Sequence, residues 1–405
     1  MKATITLLGI LVLLLTLSKA QSSGRKVVRP QRADSGPVAP AAAATPAAPP
    51  ILSPGILVGN TLYLAGQGSR DPATGRHPEG FEAQVKQSLE NLGAVLRAGG
   101  MDFSNVVCSN VYLTDINNFD RMNEVYRTYF AGEPPARTTV AVPALPGGSQ
   151  VEITFIASTA PKKIIRYEGY KPSPNAPYSP AMMSGDLLYL SGQGSRSLKT
   201  GVAPEGAIED HVRQTLENVS TILKAAGMDF SQVVSSNVYL SNMDDFQKMN
   251  DVYRSFFKTD PPARTTVGVS ALPRGTPVEI TVIASRAQKK VIPPPEGIKP
   301  SPNFSQAVET AGRVYPAGKA GSVEDLEAQV KEVMDGLGAV LKGTGKDYGD
   351  VTEAKVYLTD IDDYARMNAV YRSYFKSDPP ARTCVAVSRL VGTARVEITF
   401  VVAER

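Results

Sequence analysis

Three arginines, Arg137, Arg264 and Arg382, each follow Pro-Pro-Ala, and each is followed fifteen positions on by a glutamate, Glu152, Glu279 or Glu397, in Val-Glu-Ile-Thr. A guanidinium presents a planar fork matched to the two oxygens of a carboxylate, so the arginines are candidate clamps for a small carboxylate. The glutamates could position a water and carry a proton. The same spacing would also suit ion pairs that hold sheets together. With two histidines and two cysteines in 405 residues, neither a zinc cluster nor a disulfide framework is expected, and the chemistry needs no metal or cofactor. Lys plus Arg number 43 against 39 Asp plus Glu, a net +4 too small and scattered for a nucleic-acid groove.

The elements that must position these residues recur. Met101-Asp-Phe-Ser-Asn-Val-Val returns as Met228-Asp-Phe-Ser-Gln-Val-Val and, more loosely, as Lys346-Asp-Tyr-Gly-Asp-Val-Thr, at offsets of 127 and 118 that hold through the Arg and Glu motifs. The chain is therefore read as three modules, 51–160, 161–287 and 288–405. In each, the β-branched runs Thr61–Ala65, Asn110–Leu113, Thr138–Val142 and Val151–Ala157, or their equivalents, predict strands. The stripe Phe81, Val85, Leu89, Leu92, Leu96 predicts a first helix, and Phe119, Met122, Tyr126, Tyr129 a second. A leading strand is expected from Lys162 and from Lys289, whereas copy one has Pro/Ala sequence there and should lack it. The Lys162-Lys163 and Lys289-Lys290 doublets read as solvated strand starts. Two helices cover one face of a mixed sheet; the other face needs a partner, which three copies in one chain could supply as a pseudo-trimer.

Residues 1–20 carry Lys2, an apolar run from Ile5 to Leu17 and small residues at Ser18 and Ala20, the pattern of a cleaved signal peptide. An exported, periplasmic or secreted chain with no membrane span after cleavage is expected. Residues 21–50, rich in Pro and Ala, read as a linker.

The combination of Pro-Pro-Ala-Arg-Thr and Val-Glu-Ile-Thr, with Met-Asn-x-Val-Tyr and the Ser191-Gly192-Gln193 turn, resembles the signature of the RidA (YjgF/YER057c/UK114) family. The resemblance covers residues 51–405 and implies a chorismate-mutase-like α/β (α+β) fold, three times over. It implies an internal trimer with a central barrel of sheets, helices outside and ligand clefts between modules. The implied activity is hydrolysis of enamines and imines such as 2-aminoacrylate to keto acid and ammonia. By that resemblance Arg264, Arg382, Glu279, Glu397 and Ser191 would be catalytic, and Arg137, Tyr178, Gly192, Asn250 and Cys384 would bind substrate. The asparagines Asn123, Asn250 and Asn368 could equally tether a loop. The tyrosine place holds Leu52 in copy one and Phe304 in copy three, and the serine place holds Ala65 and Ala317. Complementary losses suggest one full cleft joining Tyr178 and Ser191 to Arg382, Cys384 and Glu397. The partner is a small carboxylate-bearing imine, the chain acts as a monomer, and nucleic acid is not expected. A non-catalytic carboxylate-binding module of the cell envelope is the alternative. An endoribonuclease ranks last, since His77 and His211 fall at unrelated places in the repeat.

Overall fold

The computed structural model describes residues 24–30, 50–130, 132–173 and 175–404, so the expected signal segment and most of the Pro/Ala run lie outside the described residues. Copy one shows the plan. Strands β1 (Lys26–Val28), β2 (Gly55–Val58), β3 (Thr61–Leu64) and the short β4 (Gln67–Gly68) precede helix α1 (Phe81–Ala98). Then come β5 (Val106–Leu113), α2 (Phe119–Tyr126), β6 (Ala136–Ala141) and β7 (Val151–Ser158). The sheet runs β1-β2-β3-β7-β5-β6, with β5 and β6 parallel and every other pair antiparallel. Copies two and three repeat this order.

Two expectations are corrected. Copy one has its leading strand: β1 pairs with β2 from the far side of the Pro/Ala run, so the linker reading of 21–50 fails at Lys26–Val28. The Pro/Ala-rich sequence before β2 carries no strand pattern, and the strand lies on its far side. Each copy also holds a further strand, Gly55–Val58, Ala181–Ser184 or Ala307–Thr310, that closes a hairpin on the next through a two-residue turn. Glycine makes that turn in copies one and two, with φ of 54° at Gly59 and 55° at Gly185.

Alternation along β5, reset by a bulge between Val106 and Cys108, divides the core. Val106, Val111 and Leu113 face α1 and its buried stripe, while Val107 and Tyr112 face the other modules. That second face forms a common core, where Tyr112, Tyr239 and Tyr357 gather with Val140, Val267 and Val385. The three sheets stay separate and meet through isolated bridges, Ala141 with Ala271 and Gly268 with Arg389.

Repeated polar ties run from each module to the next. Pro134-Pro135 lies just before β6 and has no N–H to donate, so it takes part in contacts only through its carbonyls, which need donors from elsewhere. The Ser179 hydroxyl and amide donate to them at 2.6 and 3.0 Å. Ser305 makes the same clasp on Pro261 and Pro262, and Ser53 on Pro379 and Pro380, which closes the circuit from module three to module one. The basic doublets are not simply solvated. Lys289 Nζ donates to the Val233 and Asp260 carbonyls at 2.7 and 2.6 Å, and Arg25, just before β1, donates to the equivalent Val351 and Asp378 carbonyls at 3.1 and 2.6 Å.

Because the ties close within one chain, size-exclusion chromatography with light scattering should return the mass of one chain. Val28 is buried against the α1 core, so Val28→Asp should destabilise the fold by about 3 kcal/mol, read as an earlier urea midpoint. A mere linker would tolerate the change.

Candidate active site

Arg137 stands on β6 opposite Ser109, with its side chain directed beneath α2. Asn123 Oδ1 accepts from its Nη2 at 2.6 Å, and Asn250 and Asn368 hold Arg264 and Arg382 in the same way at 2.7 Å. These asparagines therefore orient the guanidiniums. Asn123 also tethers a loop, its amide donating to the Asn175 carbonyl at 3.1 Å. The Arg137 guanidinium lies 4.7 Å from the Tyr126 ring and 5.0 Å from the Tyr178 ring of module two.

All three arginines are buried, yet among the described residues none has a carboxylate within ion-pair distance. Nη1 of Arg137, Nη1 of Arg264 and Nε of Arg382 find no acceptor there. The ion-pair reading of the Arg and Glu motifs is thus overturned, because the glutamates bond elsewhere. Each lies across a module boundary: Glu279 near Arg137, Glu397 near Arg264 and Glu152 near Arg382, accepting from the amides of Thr139, Thr266 and Cys384. Burial pushes each carboxyl up to about 8, against the opposing pull of the arginine and the amide. A β-carbon at Gly192 would stand 1.9 Å from Glu279 Oε1, so the turn must be glycine for the carboxyl to lie there. Gly66 and Gly318 cradle Glu152 and Glu397 likewise.

The expected pairing of Tyr178 and Ser191 with Arg382, Cys384 and Glu397 does not form. The Gly192 amide donates to the Arg137 carbonyl, Gly318 to Arg264 and Gly66 to Arg382, each at 3.1 Å, so every arginine meets the turn of the following module. The three clefts are Arg137 with Tyr178 and Glu279, Arg264 with Phe304 and Glu397, and Arg382 with Leu52 and Glu152. The proposed cleft required the opposite direction around the ring. Ser191 is also not a free catalytic hydroxyl: it accepts from the Arg137 amide at 2.8 Å and donates to the Ser179 carbonyl at 2.6 Å. Cys384 lines the Arg382 cleft; burial pushes its thiol, like that of Cys108, up to about 12, and both cysteines are free.

The clefts differ in volume and in what their arginines have left to offer. The Arg137 cleft measures about 430 Å³ and the Arg382 cleft about 160 Å³. Arg382 spends Nη2 on the Tyr364 hydroxyl at 3.1 Å, whereas the other copies carry Phe119 and Phe246 there.

Sequence spacing missed the histidines. His77 and His211 come from a loop and a helix, yet their Nδ1 atoms reach equivalent serines, Ser69 and Ser195, both at 2.8 Å. The readable signal was Gly-Gln-Gly-Ser-Arg, shared by copies one and two and absent from copy three. His77 lines the Arg382 cleft and His211 the Arg137 cleft.

Three α+β modules are joined so that a buried arginine faces a cradled glutamate across each boundary, and the clefts lie between modules. The profile of the family described as endoribonuclease L-PSP matches residues 42–159, 169–286 and 295–404, and the chain belongs to this family, the RidA family of the sequence signature. It is 48% identical over 117 residues to the 2-iminobutanoate/2-iminopropanoate deaminase of Rattus norvegicus, which covers 29% of this chain and 85% of the relative. It is 53% identical over 100 residues to protein DfrA of Myxococcus xanthus, covering 24% and 76%. A crystal structure of a putative endoribonuclease from Thermotoga maritima is 35% identical, covers 31% of this chain and 98% of its own, and superposes with a TM-score of 0.30.

The raised carboxyls fix a pH dependence. A buried carboxyl near 8, against 4.5 when solvated, binds a proton that the unfolded chain releases. Stability therefore falls as pH rises from about 4.5 to about 8 and then levels. Glu152→Gln should melt higher than the parent chain at pH 9 and not at pH 5, measured by circular dichroism.

Proposed function

We propose that the Arg137 cleft hydrolyses small 2-imino acids to keto acids and ammonia. The observation that carries this reading is the buried Arg137 guanidinium, unpaired by any carboxylate, with Nη1 free of protein acceptors among the described residues and with the Tyr178 ring over it where Arg264 has Phe304. A planar anion would complete it with paired, charge-assisted hydrogen bonds. The name of the rat relative, a 2-iminobutanoate/2-iminopropanoate deaminase, supplies the substrate class.

With the carboxylate on Arg137, Tyr178 stands over the guanidinium and Glu279 beside it. A carboxyl near 8 is mostly protonated at neutral pH and can give its proton to the imine nitrogen. The carbon becomes more electrophilic and water adds. The carboxylate left behind takes a proton from that water, and the resulting amino alcohol expels ammonia to leave the keto acid. Position and proton transfer suffice, because the imine carbon is electrophilic from the start. Export to the periplasm or medium, with the intact chain as the working trimer, belongs to the same proposal; a mature N-terminus at Gln21 in secreted material would support it.

Loss of 2-iminopropanoate is the test, against buffer alone. Arg137→Lys, which keeps the charge but not the fork, should lower the rate roughly 10- to 100-fold, and Glu279→Gln about 100-fold. Arg264→Lys and Arg382→Lys should change it little. The rate should fall as pH rises through about 8, since the protonated Glu279 is the active form, and Glu279→Gln should lose that limb. Imine decay at the buffer rate with measurable carboxylate binding would replace the enzyme by a binding module.

A further inference from the structure

The Arg137 cleft is larger than a three-carbon imino acid requires. Its volume of about 430 Å³ lies in the range of roughly 300–1,000 Å³ typical of sites for drug-sized ligands. It extends from Arg137, Tyr178 and Glu279 outward to Tyr167, Tyr170 and His211. Among the described residues the Arg382 cleft has no such wall. Tyr167 and Tyr170 meet edge to face, with ring centroids 5.5 Å apart, and both are half-buried. Lys171-Pro-Ser-Pro-Asn recurs as Lys299-Pro-Ser-Pro-Asn, and in that frame copy three has Pro295 and Ile298 in place of the two rings. The aromatic wall was therefore not simply inherited with the repeat.

A chain of hydrogen bonds from Thr276 through Ser195 to His211 forms the polar end of this chamber. The Thr276 hydroxyl donates to the Val278 carbonyl at 3.0 Å, so its oxygen can only accept from Ser195 Oγ, 3.0 Å away. Ser195 has then used its one proton, and must accept from His211 Nδ1 at 2.8 Å. In the neutral imidazole this leaves Nε2 as an acceptor, the ring held in place and lining the cleft. His77 differs, because its Nε2 is occupied by the Gly147 carbonyl at 2.8 Å.

We propose that the outer half of the Arg137 cleft is a side-chain subsite for an aromatic imino acid whose ring carries a hydrogen-bond donor, with Tyr167 and Tyr170 as the wall and His211 Nε2 as the acceptor. It rests on Arg137 as the carboxylate clamp. An aryl ring gains an edge-to-face or offset contact that an alkyl group lacks. A phenol or indole donor satisfies the imidazole nitrogen.

Calorimetric titration of the full chain with three keto acids tests this: pyruvate, phenylpyruvate and 4-hydroxyphenylpyruvate. Phenylpyruvate should bind roughly tenfold tighter than pyruvate, and the hydroxyl should add about fivefold. The Tyr167→Leu/Tyr170→Leu chain should lose the aryl gain, Tyr170→Phe should retain it, and His211→Leu should lose the hydroxyl increment alone. Equal affinity for the three acids, or an order that survives these substitutions, overturns the subsite. Imine hydrolysis without the affinity order removes the subsite and leaves the deaminase; the order without hydrolysis does the reverse.

Discussion

The clasp between each proline pair and the next module's serine is the contact on which the clefts depend. Pro134-Pro135 cannot donate, and its carbonyls are taken by Ser179 hydroxyl and amide. The arginine follows two residues later, so the clasp delivers it to the following module's Ser-Gly-Gln turn. The direction is the same at all three boundaries, which is why Arg137 meets Glu279 rather than its own Glu152. Ser191 belongs to this clasp: its hydroxyl joins the Ser179 carbonyl to the Arg137 amide, and it works as scaffold.

A buried charge is costly unless it is paired. Here the natural counter-ion is nearby but does not take the role, because desolvation favours the protonated carboxyl of Glu279. The asparagine fixes one side of the fork with a neutral oxygen and leaves the charge uncancelled. An anionic ligand would complete the guanidinium, and its negative charge would further disfavour ionisation of the glutamate. In the proposed reaction, clamp and proton donor would thus reinforce each other through the same burial.

The repeat, both helices and the Arg, Glu and Asn positions were legible because each follows from local periodicity or a fixed offset. What escaped depended on contacts between distant segments. β1 reaches its partner across residues 31–49, and no local pattern announces a strand on the far side of a Pro/Ala run. The hairpin strand Ala181–Ser184 is buried on both faces and too short to show alternation. The direction of the clefts is a property of chain closure, invisible in any one module. His77 and His211 reach equivalent serines from eight and sixteen residues away, so alignment by position could not relate them.

The centre of the ring shows what tandem fusion permits. Asn110, Asn237 and Lys355 occupy equivalent places around one cavity of about 40 Å³, together with Cys108, Ser235 and Glu353. The Lys355 side chain is only 13% exposed and has its carboxylate partner, the buried Glu353, 3.8 Å away in the same module. In an assembly of identical chains any residue near the axis is present three times, and three buried ammonium groups around a cavity of water size would repel strongly. A single chain can place one lysine and one glutamate there and keep asparagine at the other two positions. The same freedom acts at the clefts. Tyr364 binds the guanidinium of Arg382, Leu52 replaces the tyrosine above it, and the cleft narrows, while the Arg137 cleft keeps Tyr178 and gains an aromatic wall. Once the three boundaries are encoded separately, each needs only to hold the ring together, and the chemistry can concentrate at one of them.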